Sequence, residues 1–222
     1  MTFDCELVIA RHNEALRWVL DVPAHIRVVV YSKSRKALAP DVMQRIDKLE
    51  RAPNVGREAH TYLTHIVNNY SSLAKITAFV QGNPRDHGFG TNWDTYFGIP
   101  KDTHSRSMKL ATAASSRAHT NYTNWGHLSR LRKGSRWSDV KFSKLTLSEW
   151  WMRYISKDLP DRKAFRCSWG ACFSVTDVCI LKHTRKYYRK LLATVSSSDH
   201  PEEAHYLERA WAYIFPPTDR AP

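Results

Sequence analysis

Apolar residues recur along this chain at two periods, and the periods mark out its helices and strands. Ala59, Tyr62, Leu63, Ile66, Val67 and Tyr70 fall at three- and four-residue spacing, which places them on one face of a helix. Asn54 stands just ahead of that run and can cap it, its side-chain oxygen taking an orphan N–H of the first turn. Glu58 and His65 belong to another face. Ile76–Val80 is short, apolar and rich in β-branched residues, as an inner strand should be. The polar loop Gln81–Gly88 then breaks it. Open α/β folds place ligands at the C-terminal edge of such strands. On that reading Asn54–His60 and Gln81–His87 line one cleft; the plainer reading is a capped helix and an ordinary turn.

The same two periods recur elsewhere. Glu6–Ala10 reads as a strand, and Ala15–Val19 as the start of a helix. Arg11, Asn13 and Glu14 then sit at a strand-to-helix turn, where helix N–H groups can meet an anion, a base or a sugar edge. Alternatively, Asn13 simply caps the helix. His25–Tyr31 is a second strand, followed by the basic loop Ser32–Lys36. Strand, helix, strand, long link, helix, strand is the order of crossovers that build a parallel sheet. The expected fold is therefore α/β, one domain over residues 1–222, with a mostly parallel Rossmann-like sheet and flanking helices. Residues 89–128 have weak periodicity, with a short helical turn at Leu110–Ser116. Leu147–Tyr154 reads as an aromatic-faced helix, and Ala164–Val175 as a mixed stretch around Gly170. A further helix falls within Thr176–Val195. Pro201, Glu202 and Glu203 have the form of a helix start, and Pro216-Pro217 stops that helix near Phe215.

Charge changes the picture. The 222 residues carry 34 Lys+Arg against 21 Asp+Glu, a net +13, with 42% hydrophobic residues. Such a balance bears on partners rather than fold, and nucleic acid is the first candidate. Arg130, Arg132, Lys133, Arg136, Lys141 and Lys144 are interleaved with Trp137 and Phe142, which suits phosphate contact plus base stacking. A solvated basic loop with inward-packed rings is the alternative. Lys182, Arg185, Lys186 and Arg189 add a second basic face. Four cysteines without a close CxxC pair suggest free thiols rather than a disulfide frame or a zinc site. An acid at position 4 argues against a secretory signal, and no run reaches the roughly 18 apolar residues of a membrane span. A cytosolic protein is expected, with no membrane association and no protein partner.

Known chemical motifs are missing. There is no Walker motif, GxGxxG, HExxH or GxSxG. The loop after the inner strand offers Gln81, Asn83 and Asp86 where a divalent-metal carboxylate pair would stand. No metal and no cofactor are expected. Acid–base groups cluster in two places: Glu58, His60, Asp86 and His87 in one, Glu202, Glu203 and His205 in the other. Each acidic helix start could equally be capping alone. Cys167, Ser168, Cys172 and Ser174 around Trp169-Gly170 are possible nucleophiles that spacing does not rank.

PNVGREAHTYLTHIVNNY, FVQGNPRDHG, WGACFSV and PEEAHYLERAWAYIF together resemble a fungal family of unknown function, DUF3431, over nearly the whole chain. Its members usually carry a Gln-Gly-His-Pro loop, where this chain has Asn83 in place of the histidine. The strand–RHNE start and the Gly–small–Phe segment before an acidic helix are similar to glycosyltransferases of the GT-A type. The resemblance also implies arginine-containing cyclodipeptide synthases, which use arginyl-tRNA and a second aminoacyl-tRNA. Under that reading Glu203 or His60 is the base, and Asn54, the Gly56 N–H and Gln81 steady an oxyanion. Glu58, Glu202 or Glu203 reads the guanidinium, and Arg57 holds a phosphate or pins Glu58. Gly82, Trp169, Gly170 and His205 complete the substrate site. Nucleotide-sugar glycosyltransfer and RNA binding without catalysis are the alternatives.

Overall fold

The computed structural model describes residues 4–87, 93, 108–110, 125–127, 139–161, 165 and 171–215. Six strands form one sheet in the order β3-β2-β1-β4-β6-β5. They are β1 (Cys5–Arg11), β2 (Arg27–Ser32), β3 (Lys48–Arg51), β4 (Ile76–Gln81), β5 (Met108–Leu110) and β6 (Phe173–Thr176). β3, β2, β1 and β4 are mutually parallel, whereas β6 runs antiparallel to both β4 and β5. The fold is thus mixed α/β with a mostly parallel sheet and flanking helices.

Side chains alternate across a strand, and here both faces are buried. Leu7, Ile9, Val28, Val30, Ala78 and Val80 share one core with Trp18, Val19, Val22 and Val42. Val8, Val29, Phe79 and Phe173 share the other with the helices α2 (Arg57–Asn69) and α6 (Glu202–Ile214). The expected apolar stripes of both helices are the buried ones: Tyr62, Leu63 and Ile66 on α2, and Leu207, Ala210, Trp211 and Ile214 on α6. α3 (Leu147–Tyr154) starts with a capping box between Thr146 and Glu149, which satisfies two orphan N–H groups. No helix among the described residues is long and apolar enough to cross a membrane.

Several local expectations are corrected. The helix expected from Ala15 is a short 3-10 turn, Arg17–Asp21, entered through Leu16 at φ 55°. Asn13 is exposed and caps nothing there, because the chain folds back to bury Leu16 and Trp18 under the sheet. The long link before α2 holds two elements, α1 (Pro40–Arg45) and β3. β3 is a largely exposed edge strand, so it carries no apolar alternation to read. The expected helix within Thr176–Val195 is split into α4 (Asp177–Ile180) and α5 (Arg185–Thr194), the second capped by Thr184. Leu110 ends β5, and the rest of the turn expected over Leu110–Ser116 lies outside the described residues. α2 is capped by Gly56, not Asn54.

One buried polar network crosses the sheet. Glu6 is 2% exposed. Arg27 donates to it at 2.6 Å, and His65 Nε2 lies 2.9 Å from its other oxygen. Tyr31 Oη is 3.2 Å from His65 Nδ1. A proton on Nε2 serves the Glu6 carboxylate, while Nδ1 faces the Tyr31 hydroxyl.

Candidate functional site

The chain leaves β1 toward β2 and β3 on one side and returns to place β4 on the other. Ligands of open α/β sheets bind beyond the strand ends at such a reversal. A cavity of about 370 Å³ opens there. Ala10 and Arg11 from the end of β1 meet Gln81 and Gly82 from the end of β4. Lys33 follows β2, Asn54, Arg57 and Glu58 come from the start of α2, and Asp139, Asp199 and His200 close the far wall.

Arg11 is buried, and each of its three guanidinium nitrogens donates a hydrogen bond. It donates to Glu14 O at 2.8 Å, Ser32 Oγ at 2.7 Å and Lys36 O at 2.8 Å. It therefore fixes the two loops that rim the cavity. Glu14 Oε2 accepts from His12 N at 2.7 Å. The carboxylate lies directly over Gly82, where a Cβ would come within 2.4 Å of Oε2. Glycine at 82 thus makes room for the acid. Trp18 Nε1 donates to Gly82 O at 2.9 Å, tying the β1 loop to the end of β4.

Lys33 anchors the entry to α2. Its ammonium donates to Val55 O at 2.6 Å and to Arg57 O. Burial, with help from Arg57, lowers its pKa to about 8 against the opposing pull of Glu58. The positive charge it contributes to the cavity therefore fades as pH rises through 8. Gly56 and Arg57 both have positive φ, 58° and 49°. The turn so made presents the Arg57 side chain to His200, with Nη1 3.1 Å from Nε2.

His200 Nδ1 is 3.3 Å from Asp139 Oδ2, and its Nε2 is 3.0 Å from His205 Nε2. The carboxylate holds the proton on Nδ1, so Nε2 is the acceptor for Arg57 and His205. Burial, Arg57 and His205 together push the His200 pKa down against the upward pull of Asp139.

Of the residues expected in the site, Arg11, Glu14, Asn54, Arg57, Glu58, Gln81 and Gly82 line this cavity. Asn13 does not, and His205 stands behind His200. Gly56 lies at the α2 entry, but its N–H donates to Ser198 O at 2.7 Å and cannot serve an oxyanion. His60 is buried beneath the entry, its pKa pushed down to about 4 by burial and by Lys33. Glu202 is fully buried and accepts from Ser143 N at 3.0 Å, with His127 Nδ1 also 3.0 Å away. That makes it a structural tie rather than a substrate ligand. Glu203 lines a different cavity, with Lys141 and Lys144. Asp86 and His87 fall in a 3-10 turn after β4. Cys172 is fully buried, and burial raises its thiol to about 12, which disfavours the reactive thiolate. Lys182, Lys186 and Arg189 are exposed, while Arg185 is pinned to Val67 O at 2.7 Å. Trp169, Gly170, Arg130, Arg132, Lys133, Arg136 and Trp137 lie outside the described residues.

Sequence reasoning marked Lys33 only within the basic loop Ser32–Lys36, and it missed Asp139, Asp199 and His200. Lys33 followed a predicted strand end, which was a usable signal. The other three come from segments distant in sequence and carry no motif. Among the described residues no group of three or more His, Cys, Asp or Glu side chains is arranged to hold a metal ion.

Fold and site together define a mixed α/β protein with a charged cavity where its strand order reverses. The chain belongs to the family described as "Protein of unknown function (DUF3431)", which matches residues 7–221. No curated protein and no solved structure matches it.

Proposed function

We propose that the chain is an aminoacyl-tRNA-dependent synthase that joins arginine and a second amino acid into a cyclic dipeptide. The observation that carries this reading is the pairing of Glu14 and Glu58 with the amide side chains of Asn54 and Gln81 around one cavity. Glu14 reads the arginine guanidinium, for which a carboxylate is the natural two-pronged partner. Glu58, its Oε2 3.6 Å from Arg57 Nε, takes the proton from the attacking ammonium. Asn54 and Gln81 donate to the oxyanion of the tetrahedral intermediate. The amine of one aminoacyl ester attacks the carbonyl of the other, and a tRNA hydroxyl leaves. The free amine of the dipeptidyl ester then attacks the remaining ester, closes the ring and releases the second tRNA. Both esters arrive activated, so the protein's contribution is to hold them together. The net charge of +13 and the exposed Lys182, Lys186 and Arg189 suit a polyanionic substrate.

The test is incubation with arginyl-tRNA and a mixture of other charged tRNAs, followed by mass spectrometry of small products. A cyclic Arg-Xaa product is expected, and its absence over a full set of charged tRNAs refutes the reading. Glu58→Gln should lower the rate by about 10²- to 10⁴-fold, the range of general-base catalysis. Gly82→Ala should act by steric means. Its new methyl group displaces the flexible end of Glu14, so the melting temperature should hold while product formation falls at least tenfold. An undiminished rate in either variant removes that residue from the mechanism.

A second reading, nucleotide-sugar transfer by a GT-A-type protein, is favoured by the site's position. Strand-order reversals in open sheets commonly receive nucleotides, and Lys33 and Arg57 could meet a diphosphate. Calorimetry with UDP- and GDP-sugars, with and without Mn²⁺, discriminates: tight metal-dependent binding supports glycosyltransfer.

A further inference from the structure

Residues 139–144 pair with the segment leading into α6 through a parallel bridge between Lys141 and Pro201. Lys141 N–H donates to His200 O and Glu202 N–H to Lys141 O, each at 2.9 Å. This paired segment supplies Asp139, Asp199 and His200 to the candidate site. It also supplies Lys141, Pro201 and Glu203 to a second cavity of about 490 Å³, so the two cavities share a wall.

The second cavity has a chemistry of its own. Lys141, Lys144 and Arg153 bring positive charge, and Phe142, Trp150 and Tyr154 bring rings. Phe142 is 61% exposed although its ring centroid lies 6.2 Å from that of His127. Its open face stands between Lys141 and Lys144 in sequence, all three lining the cavity. The Arg153 guanidinium lies 5.7 Å from the Tyr154 ring centroid. Trp150 is almost fully buried, and its indole N–H has no hydrogen-bond partner among the described residues. A buried unpaired donor in a cavity wall marks a place where a ligand acceptor would be favourable.

We propose that this second cavity binds the single-stranded 3′ end of a tRNA. The inference rests on the synthase reading, and it follows from geometry once that reading is adopted. Alternating cations and rings are what a single strand requires: charge for phosphates and a flat face for each base. Lys141, Lys144 and Arg153 meet the phosphates, and Phe142 stacks on a base. Glu203 accepts from an exocyclic amine, which separates its role from proton transfer in the first cavity. The acylated terminus then reaches across the shared wall to Glu14 and Glu58.

The test measures binding of unacylated tRNA, and of a short RNA ending in CCA, by fluorescence anisotropy over a salt series. Phe142→Ala, exposed and so neutral for folding, should weaken both by about fivefold or more, the loss of one stacked base. Its salt slope should match the parent's. Lys141→Ala and Lys144→Ala should each weaken binding and flatten the salt slope by about one. Lys157→Ala, an exposed charge away from the cavity, controls for net charge and should lose less than twofold. AMP should compete only weakly; if AMP binds as tightly as the RNA, the cavity is a mononucleotide site and the proposal falls. If the parent binds tRNA and the cavity variants bind it equally, the cavity assignment is wrong while the synthase reading stands. If the parent binds no tRNA, both fall together.

Discussion

Gly56→Ala should destabilise the protein by about 3 kcal/mol, the sum of a left-handed backbone cost and of overpacking. Gly56 has φ +58°, and a Cβ there would meet Val195 O at 2.2 Å, His60 Cβ at 2.8 Å and Val195 Cβ at 2.9 Å. The nearest of these is a backbone atom at the C-terminal end of α5, and it cannot swing aside as a long side chain could. The Gly56 N–H also closes the 2.7 Å bond to Ser198 O that joins the α2 entry to the far wall of the cavity. Relief by backbone movement would therefore separate Asn54, Arg57 and Glu58 from Asp199 and His200. For a chain of this size, about 3 kcal/mol corresponds to a melting temperature lower by roughly 6–12 °C. Thermal unfolding followed by circular dichroism measures it. A shift of less than about 2 °C would mean that the turn rearranges freely and that the cavity is not held by this contact.

Glu6→Gln should cost about 3 kcal/mol at pH 7, because it removes the buried charge that His65 and Arg27 surround and leaves the cation without its counter-charge. It should also change the acid limb of the stability curve. Burial raises the Glu6 pKa, but the hydrogen bond and charge of His65 and the contact with Arg27 outweigh it, and the net direction is below the ordinary 4.5. A carboxylate depressed in the folded state binds protons more readily when unfolded. Its stabilising contribution is complete above about 4.5 and is lost as pH falls through the lower folded value. Urea melts from pH 7 to pH 3 should show the gap between parent and variant narrowing below 4.5. A gap of constant size across that range would show that Glu6 acts by packing alone.

The site was legible in proportion to how local it is. α2 and β4 are strongly periodic, and the loops at their ends fall at opposite termini of apolar runs. Asn54, Arg57, Glu58, Gln81 and Gly82 are therefore legible together in the sequence, and they share one cavity. Its position ahead of the apolar run also makes Asn54 read as a cap. The actual cap is Gly56 in a left-handed conformation, which frees the Asn54 side chain for the cavity. The acidic start of α6 had the right residue types for catalysis but not the right place. Glu202 is consumed by Ser143 and His127, and Glu203 faces the neighbouring cavity. A helix start favours acids for its dipole alone, so composition there could not separate a capping carboxylate from a working one.

Periodicity and charge by themselves determined the mixed α/β class, the inner strand, the two long amphipathic helices and the family motifs, because each depends on residues close in sequence. The tertiary structure alone decided that β6 runs against β4, that Lys33 ties the α2 turn, and that Asp139 and His200 complete the cavity wall. Those facts depend on backbone hydrogen bonds and charge contacts between segments up to 143 residues apart. No local spacing encodes them: a carboxylate and an imidazole become a pair only when packing brings them within reach in a buried wall.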